Sequence, residues 1–278
     1  MSEALPTHRL TARNTAPASE NRIHDDDVAQ RYGFRGGLVP GVTVYAYLTR
    51  PLVAVLGAAW LERGTASVRF AKPVLDGEDV TLSGEITERT KQGITAIVRA
   101  TTAAAGECAV LNATLPAGLP TPINLALYRE APLPDERPDA TREHLGRVEV
   151  LGTPVTPYDD ERAATYLESV ADDLPLYRGP RGRIHPAFYL DQANRSLDRN
   201  IRMGPWIHVG SAVRHLGPAQ VGRTLRTRGR VRSLFEKKGR EFVEVDLALL
   251  ADGKPIAHIL HTAIYHLGDP EMAPQTPR

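Results

Sequence analysis

Two helical stretches, the first almost wholly apolar and each followed by alternating strand segments, divide the chain into similar halves. From Gly41 to Leu61 the run GVTVYAYLTRPLVAVLGAAWL is almost wholly apolar. That length exceeds a strand and predicts a helix buried on all sides, kinked at Pro51. Strand candidates follow at Thr65–Val74, Asp79–Thr90, Gly93–Ala103 and Gly106–Leu115. Val80, Leu82, Gly84 and Ile86 share one face, and Ile94, Ala96, Val98 and Ala100 share another. Turn signals at Asp76-Gly77 and Gln92-Gly93 separate them. One buried helix followed by an antiparallel meander is an α+β pattern.

Upstream, the chain is polar, with a short strand expected at His8–Ala12. A helical turn over Asp25–Tyr32, capped by Asp25 or Asp26, is broken by Gly33, Gly36 and Gly37. Residues 116–140 carry six prolines and read as an extended linker. The second half then predicts a strand at Arg147–Leu151 and a helix over Tyr158–Val170, with Thr156 or Asp159 near its cap. A glycine-rich loop leads to a helix from His185 to Asn200. Four strands follow, at Pro205–Leu216, Thr224–Glu236, Arg240–Leu250 and Pro255–Leu267, and a disordered tail closes the chain. In the third of these strands Val243, Val245, Leu247 and Leu249 share a face. The division expected is an N-terminal unit over 1–115, a linker over 116–144, a C-terminal unit over 145–267 and a tail over 268–278.

The halves are related by a fixed separation. VRFAKPVLDGEDV lies over VRHLGPAQVGRTL, matching Val68 with Val213, Arg69 with Arg214, Pro73 with Pro218 and Gly77 with Gly222, all 145 residues apart. The same separation carries Pro40 onto His185 and Gly41 onto Pro186. A duplicated unit is implied. A sheet wrapped round one helix leaves an open edge that the other copy can pair with.

Composition narrows the chemistry. The net charge of +1 gives no broad electrostatic field, which disfavours nucleic acid and anionic membrane as partners. The single cysteine, Cys108, lies in an alternating apolar run and reads as packed, which fits a reducing compartment. The polar N-terminus has no secretory pattern and no uninterrupted apolar run is long enough for a membrane span, so a cytoplasmic location is expected. HILHTAIYH does not make a metal site. His258 and His261 point to opposite strand faces, and His258 and His266 lie roughly 26 Å apart. No phosphate-binding glycine loop opens a helix, and Ser19 lacks the context of a nucleophilic serine.

The candidate chemistry lies around the two helix starts. SENRIHDDDVAQRYGFRGGLVPG supplies Asn21, His24, Ala29, Gly33, Phe34 and Gly41. In that order they resemble the hydratase motif of MaoC-like hydratases and dehydratases, a family that includes (R)-specific enoyl-CoA hydratases. The resemblance spans both halves and implies a double hot-dog fold: two tandem units, each an antiparallel sheet wrapped round a central helix, together forming a pseudo-dimer. It also implies hydration or dehydration of an acyl thioester on CoA or an acyl carrier protein, in fatty acid metabolism, without metal or cofactor. The pseudo-dimer can pair again as a homodimer.

The motif is split. Its aspartate falls on Ser19 and the histidine of its His-Gly pair falls on Pro40. In the second half Asp172 stands at the aspartate position, Tyr177 at that of the first histidine, and His185 heads the helix before Pro186.

Hydration of an enoyl thioester needs a base for water, an acid for the α-carbon and stabilisation of a developing enolate. The resemblance puts His24 as the base, Asn21 placing water or substrate, and Gly41 at a helix N-terminus whose unpaired N–H groups meet the oxyanion. The competing reading of His24 is a cap on the turn before Asp25. Asp172 and Tyr177 read more simply as a helix end and surface loop. Asp191 and Arg195, four apart on the second helix, are expected to pair as ions. The alternative is that Asp191 or Asn194 faces the cleft, with Arg195 or Asn194 beside the substrate. The first helix has Ala46 where Asp191 stands, so such a group comes from one copy only. Three functions remain: a hydratase or dehydratase on His24, Asn21 and Gly41, a thioesterase on Asp191, or a non-catalytic acyl-binding or complex-forming subunit.

Overall fold

The computed structural model describes residues 3–268. The short strands β1 (Glu3–Ala4) and β2 (His8–Thr11) lead to a 3₁₀ turn at Arg22–His24 and helix α1 (Asp26–Arg31). Helix α2 (Gly41–Arg63) precedes β3 (Thr65–Phe70), β4 (Asp79–Thr90), β5 (Gly93–Thr102) and β6 (Gly106–Pro116). Then come α3 (Arg142–Leu145), β7 (Val155–Tyr158), α4 (Asp160–Ser169) and α5 (Pro186–Asn200). The last strands are β8 (Ile207–His215), β9 (Arg223–Lys237), β10 (Arg240–Ala251) and β11 (Lys254–His266). The expected tail lies, from residue 269 on, outside the described residues.

Eleven strands form one antiparallel sheet in the order β1-β4-β5-β6-β3-β8-β11-β10-β9-β7, with β2 also on β4. Helix α2 crosses the β4-β5-β6 half and reaches β8. Helix α5 crosses β9, β10 and β11, and the two helices touch. The halves join where β3 pairs with β8, Ala66 facing Val213 and Val68 facing Ser211. A shift of 145 residues exchanges these two pairs, so the seam carries an approximate two-fold axis. Each copy thus closes the other's open edge, and one continuous apolar core runs through both halves. The fold is a double hot dog, a covalent pseudo-dimer.

Most elements follow the alternation, because one face of the sheet is buried. Val80, Leu82 and Ile86, and Val243, Val245, Leu247 and Leu249, are all buried. Three expectations fail. Helix α2 does not break at Pro51. Its non-helical residue is Gly57, at φ 58° and ψ −151°, a conformation that favours glycine. Nor is α2 buried all round: Val42–Thr49 are buried, but Val55 is 41% exposed. It is the one helix among the described residues long and apolar enough to cross a membrane, yet 61% of that window is buried inside the protein.

The third failure is the strand expected at Arg147–Leu151. Only Leu151 bridges Gly229, and regular pairing begins at β7 on β9. The Asn200 side chain takes both backbone groups of Gly152, accepting from its N–H at 2.6 Å and donating to its carbonyl at 2.9 Å. Pro154 then offers no donor to a ladder.

The proline-rich stretch packs along the outer face of the second half-sheet. Ile123, Leu125 and Tyr128 cover Ala248 and Leu250, and the Tyr128 hydroxyl donates to Asp246 at 2.8 Å.

Candidate functional site

The 3₁₀ turn at Arg22–His24 is fixed from both halves. The Asn21 carbonyl oxygen Oδ1 accepts from the Trp206 N–H at 3.0 Å, and its Nδ2 donates to the Trp206 carbonyl at 3.0 Å. Oδ1 also accepts from Ile23 N–H at 3.4 Å, as the turn's cap. The amide is therefore largely spent on backbone, and little of it is left for water or substrate. At the position of the motif's aspartate, the Ser19 hydroxyl accepts from the Asn21 N–H at 3.1 Å.

His24 follows on the same turn. Its Nδ1 lies 2.6 Å from the Leu38 carbonyl, which can only accept, so Nδ1 carries the proton. Nε2 is left with a lone pair, 3.4 Å from Asn21 Nδ2. Burial lowers the imidazole's pKa below its usual value, and the Leu38 bond only partly opposes this. The neutral ring is a base with a fixed tautomer. His24 does not cap α1. That role belongs to Asp25, whose carboxylate accepts from the Val28 N–H at 3.1 Å.

Glycine at position 37 makes this placement sterically open. A Cβ there would overlap the His24 carbonyl, and the Gly37 N–H donates to Asp26 at 2.6 Å. Gly37→Ala is expected to push the His24 turn aside, lowering stability by ~1–3 kcal/mol and turnover by ~10-fold or more. Urea unfolding and initial rates check this, and unchanged values in both would show that the close approach has no consequence.

Helix α2 begins at Gly41. The Thr43 and Val44 N–H groups donate to the Pro40 carbonyl, and the N–H groups of Gly41 and Val42 precede any intrahelical acceptor. A pocket of about 200 Å³ opens over this helix start, lined by His24, Gly41, Phe70, Asn194, Trp206 and His208 among others. It adjoins a larger cleft of about 790 Å³ between the halves. Asn21, His24, Pro40, Asn194 and Trp206 line both spaces, so these residues stand at the junction.

The far wall of the cleft is α5. Asp191, Asn194 and Arg195 line it with Arg162, Tyr166 and Arg199. Burial pushes the Asp191 carboxyl up to about 7, the Tyr166 hydroxyl partly opposing it. The expected Asp191–Arg195 ion pair does not form. Arg195 is exposed at the mouth, and its proton is held less tightly through burial and the neighbouring Arg199 and Arg162. The two side chains share a helix face, but one turns inward and the other outward. Asn194 Oδ1 is buried without a hydrogen-bond partner at the junction.

Asp172, Tyr177 and His185 form a separate cluster and line neither space. His185 is fully buried. Its Nδ1 accepts from the Ala187 N–H at 3.2 Å, capping α5, so Nε2–H faces Asp172 Oδ2 at 3.2 Å. Burial raises the Asp172 carboxyl, but the His185 bond and nearby charge outweigh it and leave a net lowering. Tyr177 packs its ring 4.6 Å from His185, and burial lifts its hydroxyl far above the ordinary value. The surface-loop alternative for Asp172 and Tyr177 therefore fails: both are buried.

Among the described residues no group of three or more His, Cys, Asp or Glu side chains is arranged to hold a metal ion. His258 instead contacts Asp246 at 2.8 Å. The sequence did not single out Trp206, Tyr166 or His208. Trp206 contributes through its backbone, and the other two face the site only through long-range packing.

No family model matches the chain, and no curated protein matches it. Solved structures do. A protein of Chloroflexus aurantiacus described as a MaoC domain dehydratase aligns at 10% identity with a TM-score of 0.59, over 96% of this chain and 95% of its own. A Mycobacterium tuberculosis protein described as having a double hot-dog fold aligns at 14% identity and a TM-score of 0.57, over 94% and 96%. A protein of Lactobacillus plantarum described as an oleoyl thioesterase aligns at 11% identity and 0.54, over 95% and 97%. At these identities the likeness is one of architecture, and it places this chain among the double hot-dog proteins.

Proposed function

We propose that the protein acts on an acyl thioester, carried by CoA or an acyl carrier protein, and that its reaction is hydration of an enoyl group or the reverse dehydration. The observation that carries this reading is the convergence of three groups from two copies on one cleft: the His24 Nε2 lone pair, met only by the long 3.4 Å bond from Asn21 Nδ2, the unpaired Oδ1 of Asn194 and the raised carboxyl of Asp191. A water at the junction would give one proton to each of two acceptors, His24 Nε2 and Asn194 Oδ1. Its oxygen lone pair would be left to attack the β-carbon. His24 takes a proton from that water, and Asp191, protonated below about pH 7, delivers one to the α-carbon. The Gly41 and Val42 N–H groups at the head of α2 receive the thioester oxygen as it gains charge. Solvent exchange then returns His24 and Asp191 to their starting states. Asn21 holds the turn on which His24 sits.

A thioesterase reading is favoured by one observation, the placement of Asp191 midway along α5 on the wall of the cleft. Likeness in architecture to a protein described as a thioesterase adds support. Two assays on one sample separate the readings. Incubation with crotonyl-CoA is expected to consume the enoyl absorbance without releasing free thiol. Loss of the band with an equal release of free thiol would select the thioesterase, since cleaving the thioester also destroys the conjugated chromophore. Thermal stabilisation by the ligand with neither signal would make the protein an acyl-binding subunit.

A further inference from the structure

A second histidine faces the small pocket. His208, on β8, is 6% exposed and lines the space over the head of α2. Its Nδ1 is buried with no hydrogen-bond partner and lies 3.0 Å from where a Cβ on Gly41 would sit. The ring is held from behind. Nε2 lies 2.8 Å from the Ser211 hydroxyl, which in turn lies 2.9 Å from His261 Nδ1. The two imidazoles stack with centroids 4.1 Å apart, and Phe70 packs its edge against His208.

This chain of polar groups is absent from the other copy. Ser211 faces His261 across β8 and β11. The corresponding pair across β3 and β6 is Ala66 facing Ala113, 145 residues before Ser211 in the case of Ala66. The fold therefore does not need polar groups at this seam. Leaving a buried polar atom unpaired is costly, so an unpaired Nδ1 at a pocket wall calls for a partner from a ligand.

We infer that His208 is a further catalytic residue, whose Nδ1–H and the Gly41 N–H together receive the carbonyl oxygen of the thioester. The inference rests on the thioester reading above. A carbonyl oxygen only accepts, so its arrival fixes the protons along the chain. His208 carries its proton on Nδ1, Ser211 donates to His208 Nε2, and His261 Nδ1–H donates to Ser211. Ser211 and His261 are positioning residues that hold this tautomer. No proton is transferred from His208: a neutral imidazole polarises the carbonyl as a hydrogen-bond donor. His24 and Asp191 remain the groups that move protons.

The test uses butyryl-CoA labelled with ¹³C at the thioester carbonyl, a saturated probe that cannot be hydrated. Isotope-edited infrared spectra of the probe bound to the full chain should show the carbonyl stretch moved to lower wavenumber. His208→Phe should lose a large part of that shift. His208→Asn, whose amide nitrogen can stand near the Nδ1 position, should recover some of it, and Ser211→Ala should lie between. His24→Ala should leave the shift intact. In the crotonyl-CoA assay His208→Phe is expected to lower kcat ~10²-fold with KM within ~3-fold, and His208→Asn to restore ~10-fold of that loss. An unchanged carbonyl stretch in His208→Phe overturns the role of His208, even if His24→Ala abolishes turnover and the thioester reading stands. A wild-type shift that depends on His208 without any turnover leaves the carbonyl site standing and removes the enzymatic reading. Absence of probe binding by the wild-type chain would count against both.

Discussion

Replacing His24 by alanine is expected to lower thioester turnover about 10³-fold, with KM changed by less than ~3-fold. The imidazole has one tautomer because the Leu38 carbonyl accepts from Nδ1–H, and among the described residues at the junction of cleft and pocket its Nε2 is the one neutral imidazole base. Loss of the ring removes that base but none of the amide donors at the head of α2. Binding should survive while chemistry stops. The pH profile gives an independent check. Because the His24 pKa is lowered, its base form is present above a value below the ordinary 6.5, so the acid limb of kcat/KM should fall there. Asp191 must keep its proton, so the alkaline limb should fall from about pH 7. A narrow bell results, and Asp191→Asn should lower the rate and remove the alkaline limb. A His24→Ala variant with wild-type rate would end the assignment. So would a flat profile between pH 5 and 8.

Asn21→Ala is expected to lower the free energy of unfolding by about 2–4 kcal/mol, the largest loss among substitutions at the junction. Asn21 is 6% exposed, and its side chain joins the N-terminal turn to the backbone of Trp206 in the other half. Alanine would leave the Trp206 N–H and carbonyl buried without those partners and would also remove the cap on the 3₁₀ turn. Activity should fall with stability, since the same turn carries His24. Asn21→Asp separates the parts: it keeps the acceptor for Trp206 N–H and loses the donor to the carbonyl, so an intermediate loss is expected. Urea unfolding with a constant m-value measures both. A loss below ~0.5 kcal/mol for Asn21→Ala would show that water replaces the lost bonds, and that Asn21 has a weaker structural role than the distances imply.

Much of the fold was legible because its signals are local. Alternation placed β4 at Asp79–Thr90, where the strand lies, since a half-buried strand must expose every second residue. The 145-residue separation foretold that the two copies would pair along an open edge, and the structure puts that edge at β3 and β8. Local reading failed where a distant group took over. Arg147–Leu151 reads as a strand, but Asn200, far along α5, decides where the backbone bonds of Gly152 beside it go. Gly57 rather than Pro51 carries the non-helical backbone of α2, since φ 58° is a conformation that glycine adopts easily.

The candidate site was legible residue by residue and not as an arrangement. His24, Gly41, Asp191 and Asn194 could each be named from motif and position. Their grouping could not, because α5 comes to face the Arg22–His24 turn only after the two half-sheets have joined. The sequence offered Asp172, Tyr177 and His185 as secondary candidates from the second copy, and burial in a separate cluster sets them apart from the cleft. It suggested an Asp191–Arg195 pair from spacing, although the two side chains leave the helix towards different surroundings. His208 carried no local signal beyond a place in a strand.

The sequence by itself determined the elements, their amphipathic faces and the duplication, since each depends on periodicity over neighbouring residues. Only the tertiary structure decided which polar groups share a space and which are spent on backbone. Those outcomes depend on contacts between residues far apart in the chain, such as Asn21 with Trp206, that no local pattern encodes.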